Sequence, residues 1–390
     1  MKKPKVLVIF GTRPEAIKMA PVVLALHENA GIDTAVCVSG QHREMLDQVL
    51  AVFGIKPEFD INVMTEGQQL ASTSAKILVG VTDILEQYRP DVVIVHGDTT
   101  TSYIAALAAF YLQIPVAHVE AGLRTGNMRS PWPEEFNRCS IGSIATLHFA
   151  PTLEAKGNLL RERIPASTIE VTGNTVIDAL RLTNIRLNKD ESFRGLASSA
   201  VLGLDRDLPT ILVTAHRREN LDGGIHDICS AIANIAASGT AQFVFPVHKN
   251  PRVREAVFEQ LASHKNVFLT EPLDYPQMVY LMSQSYLLLT DSGGIQEEAA
   301  ALRRPCLVMR DTTERPELVA AGGARLVGTD VETIIEAINY LIENSAAYCA
   351  MQIDKNPYGD GFAAKKIAER LAIFLEKKSE GFQSGNKRAA

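Results

Sequence analysis

Acidic and basic side chains follow the ends of several apolar segments that read as strands. Three of them are Asp98, Glu120 and His216, each placed where a predicted strand ends. Gly11-Thr12-Arg13 follows the first such segment in the same way. Parallel sheets bind ligands beyond the carboxyl ends of their strands, so these positions are the candidates for chemistry. Carboxylates in the first half suit proton transfer, and histidine followed by arginines in the second half suits an anion.

A strand, a tight turn and a helix start occur together within Leu287–Pro305. Ser292, Gly293 and Gly294 form the turn, and glycines there let backbone N–H groups and the helix dipole converge on a phosphate. Glu298 follows in the helix, where a carboxylate can hold ribose hydroxyls. The alternative is an ordinary helix start capped by Ser292. A nucleotide in this half and a reactive sugar in the other would explain why carboxylates and anion-binding groups are separated.

Each candidate acid or base also has a purely structural interpretation. Asp98 precedes a threonine-rich helix start and could be its cap. Glu134 could be a first-turn acid paired with Arg138 along the helix. His216 could be a satisfied core histidine. Glu120 is harder to explain structurally, because it ends an apolar strand and cannot be a helix acid.

Two His-x-acid pairs suggest a competing function. His96 with Asp98, and His118 with Glu120, each end a strand. Alternation along a strand places both side chains of a pair on one face, which is typical of a divalent metal site for hydrolysis. Alternation in a buried strand also produces such pairs by chance. We expect the protein to bind no metal at these residues.

Composition excludes several classes of protein. A net charge of −6 and a pI near 5.9 leave no basic footprint for nucleic acid. The five cysteines are far apart in the sequence and form no CxxC pair, which favours reduced thiols and a cytoplasmic protein. The N-terminal apolar run is too short for a signal peptide, and no run reaches the length of a membrane span. Neither GxGxxG after the first strand nor GxxxxGK[ST] occurs, so a bound NAD is not supported and no cofactor is expected.

The order of strands and helices predicts an α/β protein with two Rossmann-like halves. Strands and helices alternate, which is typical of βαβ units in a parallel sheet covered on both faces. Residues 1–173 form the first predicted domain and 174–362 the second, in which the pattern restarts at Thr210. A final helix covers about 363–377, and the polar segment 379–390 is expected to be a disordered tail. The predicted strands are Val6–Phe10, Ala35–Val38, Asp91–Val95, Pro115–Val119, Leu147–Ala150, Thr210–Thr214, Gln242–Pro246, Val267–Leu269, Tyr286–Leu289 and Cys306–Met309.

Seven motifs in order resemble the bacterial non-hydrolysing UDP-N-acetylglucosamine 2-epimerases. They are GTRPEAIK at 11–18, VHGDTTT at 95–101, HVEAGLRTG at 118–126, SPWPEEFNR at 130–138, AHRREN at 215–220, TDSGGIQEEA at 290–299 and RDTTERP at 310–316. The resemblance runs from the first strand to about Phe374. It implies the glycosyltransferase B-type architecture, in which two Rossmann-like domains face a cleft and the last helix crosses back to the first domain.

The resemblance implies reversible C2 epimerisation of UDP-N-acetylglucosamine to UDP-N-acetylmannosamine through a 2-acetamidoglucal, for surface polysaccharide synthesis. Such a reaction needs a base, an acid on the opposite face and a firm hold on the departing UDP. The implied catalytic residues are Asp98, Glu120 and Glu134 as acid and base, together with His216, which would stabilise the departing pyrophosphate. The implied ligand-binding residues are His216, Arg13, Lys18, Arg138, Ser292, Gly293, Gly294, Glu298 and Arg315.

Family members also imply assembly as a homodimer and, in some cases, activation by a second substrate molecule. Gln41 and His248 match positions of that second site, but Glu44 and Gly67 depart from its pattern. Other functions stay open: a hydrolysing relative that releases N-acetylmannosamine and UDP, a glycosyltransferase with an acceptor, and a silent nucleotide-sugar sensor. A sensor should lack some of the acids, and all three are present.

Overall fold

The computed structural model describes residues 3–40, 43–63, 69–199, 203–217, 223–313 and 315–386. The chain divides into two compact units. Unit 1 contains residues 1–179 and 358–390, and unit 2 contains residues 180–357. Each unit is built on its own parallel sheet, as the alternating pattern predicts. Among the described residues, no helix is both long enough and apolar enough to cross a membrane.

Unit 1 has a seven-stranded parallel sheet in the order β3-β2-β1-β4-β5-β6-β7. Its strands are β1 (Lys5–Phe10), β2 (Asp33–Val38), β3 (Phe59–Asp60), β4 (Val92–His96), β5 (Val116–Val119), β6 (Leu147–Ala150) and β7 (Ile169–Val171). Its helices are α1 (Arg13–Glu28), α2 (Arg43–Phe53), α3 (Leu70–Tyr88), α4 (Thr100–Tyr111), α5 (Glu134–Ile144), α6 (Leu153–Arg161) and α7 (Thr175–Lys189), which runs past the unit boundary. The strand order reverses between β1 and β4, so loops that follow these strands flank the point where open α/β sheets bind ligands.

Both faces of this sheet are buried, which explains why its strands are continuous apolar runs. Val8 and Phe10 pack in one core with α1 and α2, whereas Leu7 and Ile9 pack in the other with α3 and α4. Alternate side chains of β1 therefore serve opposite cores. The residues that follow the strands lie outside this packing, so they can be polar.

Unit 2 has a six-stranded parallel sheet in the order β10-β9-β8-β11-β12-β13. Its strands are β8 (Thr210–Thr214), β9 (Gln242–Pro246), β10 (Val267–Thr270), β11 (Leu287–Thr290), β12 (Cys306–Val308) and β13 (Ala324–Leu326). Its helices are α8 (Glu191–Ser198), α9 (Gly224–Ser238), α10 (Pro251–Leu261), α11 (Tyr275–Gln284), α12 (Gly293–Ala301), α13 (Pro316–Ala320), α14 (Val331–Glu343) and α15 (Ser345–Met351). The order reverses between β8 and β11, where Thr214 pairs in register with Thr290.

The C-terminal helix α16 (Ala363–Asn386) belongs to unit 1, where it packs against α1. The buried Asp178 carboxylate accepts hydrogen bonds from the backbone N–H groups of Ala363 and Ala364, at 3.1 and 2.9 Å. These bonds satisfy two of the N–H groups that a helix start leaves without an intrahelical partner. The helix continues past the predicted end at 377, and residues 387–390 of the expected tail lie outside the described residues.

Candidate active site

The turn after β1 is held by a capping box. Thr12 caps α1, and the side chain of Glu15 reaches back to the N–H groups of Gly11 and Thr12 at 3.0 and 2.8 Å. The other oxygen of the Glu15 carboxylate accepts from the hydroxyls of Thr99 and Ser102, at 2.7 and 2.8 Å. Burial raises the pKa of Glu15, although the four hydrogen bonds oppose that shift. Glu15 therefore joins the turn that carries Arg13 to the start of α4.

Asp98 lies in the turn after β4 and does not cap α4. The cap is Thr99, whose hydroxyl accepts from the N–H of Ser102 at 3.1 Å, so the capping alternative for Asp98 is wrong. Instead, the Arg138 guanidinium donates to the Asp98 carboxylate. Burial raises the pKa of Asp98 above its ordinary value of 3.8; Arg138 opposes this shift, and the charges of Glu120 and Glu134 add to it. The charges of the other two predicted acids therefore act on Asp98 in the folded protein.

Glu120 follows β5 with a left-handed backbone, at a φ of 62°. This conformation is uncommon outside glycine and takes the side chain out of the strand alternation. The Lys18 ammonium and the Asn174 amide both donate to its Oε1, the latter at 2.9 Å. Oε2 of Glu120 lies 3.5 Å from Nε2 of His96. The structure thus places Lys18 beside a predicted acid.

Glu134 and Glu135 begin α5 and differ in environment. Glu134 is half-buried, whereas Glu135 is 1 % exposed and accepts from the N–H groups of Thr125 and Gly126, at 3.0 and 2.9 Å. Arg138 lies between Asp98 and Glu135, with its Nη1 3.3 Å from Glu135 Oε2. The helical pairing expected for Arg138 therefore involves Glu135 at i,i+3.

The two His-x-acid pairs do not share one environment. Nε2 of His118 lies 2.7 Å from the carbonyl oxygen of Gly97, whereas His96 faces Glu120. Among the described residues, no group of three or more histidines, cysteines or carboxylates is arranged to hold a metal ion.

In unit 2, His216 follows β8 and pairs with Asp291, which follows β11. The Nδ1 atom of His216 lies 3.0 Å from Asp291 Oδ1, and the backbone N–H groups of His216 and Arg217 each donate to Oδ2 at 2.8 Å. The His216 side chain is 41 % exposed, so it is not a core histidine. Its ring stacks on that of His248, with centroids 6.0 Å apart.

The first turn of α12 is open for an anion. Ser292 is the residue before the helix, but its side chain makes no capping hydrogen bond within the described part of the chain. A Cβ added at Gly294 would meet no described atom within 4 Å. Neither packing nor a positive φ therefore requires glycine there, and the space above the turn is left for a ligand.

The acidic side chains of α12 are held from neighbouring segments. The hydroxyl of Tyr275 donates to Glu298 at 3.0 Å, and the Arg315 guanidinium donates to Glu297 at 2.5 Å. Both carboxylates are buried. Gly293, Gly294 and Glu298 therefore lie on α12, Ser292 directly precedes it, and Arg315 contacts the neighbouring Glu297.

The remaining predicted residues are described only in part. Arg13 begins α1 and is half-buried. Gln41 lies outside the described residues, as does the side chain of Glu44 in α2. His248 is exposed after β9.

Sequence reasoning missed several residues that hold the candidates in place. Glu15 could have been found, because Thr12 and Glu15 have the spacing of a capping box. Asn174 donates to Glu120, 54 positions away, and Tyr275 donates to Glu298, 23 positions away. No local sequence pattern indicates contacts over such separations.

Comparison with known proteins identifies the family. The family model described as UDP-N-acetylglucosamine 2-epimerase matches residues 24–372. The UDP-N-acetylglucosamine 2-epimerase of Escherichia coli K12 is 52% identical over 368 residues, which are 94% of this chain and 98% of that protein. That of Yersinia pestis is equally similar, at 52% identity over 368 residues.

Solved structures agree with this assignment. The UDP-GlcNAc 2-epimerase from Neisseria meningitidis, bound to UDP-GlcNAc, is 51% identical with a TM-score of 0.89, covering 94% of this chain and 99% of that one. The enzyme from Methanocaldococcus jannaschii, in complex with UDP-GlcNAc and UDP, is 34% identical with a TM-score of 0.80, covering 95% and 99%. The fold is of the glycosyltransferase B type. The chain belongs to the UDP-N-acetylglucosamine 2-epimerase family.

Proposed function

We propose that this chain interconverts UDP-N-acetylglucosamine and UDP-N-acetylmannosamine by eliminating and re-adding UDP. The proposal is supported by membership of the family and by one observation in unit 1. The pKa of Asp98 is raised, mainly by burial, and the charges of Glu120 and Glu134 add to that increase. Asp98 and Glu120 follow β4 and β5, and Glu134 begins α5. Neighbouring carboxylates of this kind are the groups that two proton transfers require.

The hydrogen at C2 of the sugar is not acidic, because no carbonyl group activates it. Elimination avoids this difficulty: a carboxylate takes the C2 proton, the C1–O bond breaks, and its electron pair leaves with UDP. The product is a C1=C2 double bond in a 2-acetamidoglucal. Protonation of C2 from the opposite face, with return of UDP to C1, gives the epimer. Asp98, Glu120 and Glu134 are jointly assigned to these two proton transfers.

The raised pKa of Asp98 suits such an exchange, because a general acid works best when its pKa approaches the working pH. Arg138 counters the shift and holds the carboxylate by a charge-assisted bond. The Lys18 ammonium holds the Glu120 carboxylate by a similar charge-assisted bond. Both carboxylates thus have a cationic partner that can offset charge as protons move.

UDP leaves with the electron pair of the C1–O bond and therefore gains negative charge. In unit 2, His216 is supported by Asp291 and is exposed, and the open first turn of α12 offers N–H groups to a phosphate. We assign the diphosphate to His216, Ser292, Gly293 and Gly294 of unit 2. Glu298 holds the ribose hydroxyls, and Arg315 completes the ligand shell through Glu297.

The test is to incubate the purified protein with UDP-N-acetylglucosamine and separate the products by anion-exchange chromatography. Epimerisation predicts UDP-N-acetylmannosamine at a fixed equilibrium ratio, and the same ratio when the reaction starts from that product. Accumulation of free N-acetylmannosamine and UDP would instead place the chain among hydrolysing relatives.

The proposal extends to assembly and regulation. The family implies a homodimer in the cytoplasm that serves surface polysaccharide synthesis, and sedimentation at micromolar concentration tests the dimer. Activation by substrate would act through Gln41, Glu44 and His248, of which His248 stacks on His216. Sigmoidal rate curves that become hyperbolic in His248→Ala would support it, and hyperbolic curves in the unaltered protein would contradict it.

A further inference from the structure

His96 is a buried histidine to which the proposed mechanism gives no role. It ends β4 and is 4 % exposed. Among the described residues, neither ring nitrogen has a hydrogen-bond partner outside its own residue. Burying a polar ring without partners is costly, so such a ring needs an explanation.

The Glu120 carboxylate faces one nitrogen of the His96 ring. Nε2 of His96 lies 3.5 Å from Oε2 of Glu120, slightly beyond hydrogen-bond distance. The other oxygen of that carboxylate already accepts from Lys18 and Asn174. A small movement of Glu120 would bring Oε2 into hydrogen-bond contact with His96. Catalytic hydrogen bonds are often long without substrate and shorten when it binds.

We propose that His96 is a positioning residue for Glu120, donating an Nε2–H hydrogen bond to Oε2 when substrate is bound. The inference rests on the proposed epimerase function and deepens it. His96 touches neither the sugar nor UDP in this account, and it acts only through the carboxylate.

The charge state of the ring fits this role. Burial lowers the pKa of His96 to about 4; Glu120 opposes the shift and Lys18 adds to it. The imidazole is therefore neutral near pH 7, so it can donate one hydrogen bond without adding a second positive charge beside Lys18. A fixed neutral donor would orient Glu120 while leaving it able to exchange a proton with the substrate.

Two substitutions separate the hydrogen bond from the bulk of the ring. His96→Met fills similar space but cannot donate, and we expect kcat to fall by about 10- to 100-fold with KM for UDP-N-acetylglucosamine changed by less than about threefold. His96→Gln carries an amide N–H near the position of Nε2 and should recover kcat to within about fivefold of the unaltered protein.

A double-mutant cycle tests whether His96 acts through Glu120. If it does, adding His96→Met to Glu120→Gln should lower kcat no further than Glu120→Gln alone. Multiplied losses would overturn the proposal, as would a kcat for His96→Met within twofold of the unaltered protein.

Controls keep folding and function apart. His148→Met replaces another buried histidine of unit 1, bonded to the carbonyl of Gly142 at 2.9 Å, and should lower the melting temperature but not kcat.

If His96→Met unfolds, His96→Asn replaces it, because the shorter amide keeps a polar group but cannot reach Glu120. If the unaltered protein forms no UDP-N-acetylmannosamine, the proposed function has failed. If it does and the His96 variants match it, only the role of His96 has failed.

Discussion

The Nδ1 atom of His216 lies 3.0 Å from Oδ1 of Asp291, a carboxylate with no exposed surface. Burial alone would raise the pKa of Asp291, but the hydrogen bonds from His216 and from two backbone N–H groups lower it below the ordinary value. Asp291 is therefore ionised at neutral pH. It can fix the orientation of the His216 ring beside a phosphate.

Asp291→Asn should weaken UDP binding by about 10- to 100-fold, because a hydrogen bond to a charged group contributes about 1.5–3 kcal/mol. Isothermal titration calorimetry with UDP measures the effect. His216→Ala should lose a similar amount, and the double variant should lose no more than either alone. Losses that multiply would show that the two residues do not act as a pair.

Gly294→Ala should separate stability from ligand binding. The added Cβ meets no described atom within 4 Å, and alanine favours helices over glycine, so the melting temperature should stay the same or rise. The methyl group would occupy the space above the first turn of α12, so UDP affinity should fall at least tenfold. Gly195→Ala in α8, where a Cβ also meets nothing within 4 Å, is the matched control and should leave UDP binding unchanged. Unchanged UDP binding in Gly294→Ala would remove this turn from the phosphate site.

Tyr275→Phe should test the ribose contact. It removes the hydroxyl that donates to Glu298 at 3.0 Å and leaves the aromatic packing in place. A misplaced Glu298 should raise KM for UDP-N-acetylglucosamine by about three- to tenfold with little change in kcat, since uniform binding is lost. Tyr280→Phe on the same helix is the control. A lowered kcat with an unchanged KM would argue against a ribose-binding role.

The strands could be predicted from sequence because they are continuous apolar runs buried on both faces. All ten predicted strands are present, most within one or two residues of the expected ends. The short edge strands β3, β7 and β13 were missed, since two or three residues leave no periodic signal. The polar composition of residues 188–199 led to no predicted element, yet α8 forms there, capped by Asp190 and packed against α11.

Only those residues of the site that a local sequence pattern marks could be predicted. Strand ends indicated Asp98, Glu120 and His216, because topology alone places strand ends at one edge of a sheet. What holds those groups depends on contacts distant in sequence, such as the bond from Asn174 to Glu120. The left-handed backbone of Glu120 has no sequence signal, since glycine would be the expected residue at that φ.

Stability should decline in acid because His118 is buried without charge. Burial lowers the pKa of His118 to about 3, from an ordinary 6.5. As the pH falls below 6.5, the unfolded chain takes up a proton that the folded chain does not, so unfolding becomes easier down to about pH 3. Between pH 7 and 5 this costs about 2 kcal/mol, at 1.36 kcal/mol per pKa unit.

His118→Gln removes this titration and keeps a donor for the Gly97 carbonyl. Urea unfolding at both pH values should therefore show the variant gaining about 2 kcal/mol relative to the unaltered protein on going from pH 7 to 5. The comparison cancels the opposite contributions of Glu15 and Asp98, whose pKa values are raised. A stability difference that is independent of pH would contradict the assignment.

Proton exchange at C2 tests the central claim most directly. Proton NMR of the protein with UDP-N-acetylglucosamine in D₂O should show UDP-N-acetylmannosamine carrying deuterium at C2. Asp98→Asn and Glu120→Gln should slow this exchange by at least about 100-fold while UDP still binds. Epimer that keeps its original C2 hydrogen, or exchange at the normal rate in both variants, would contradict elimination by these carboxylates.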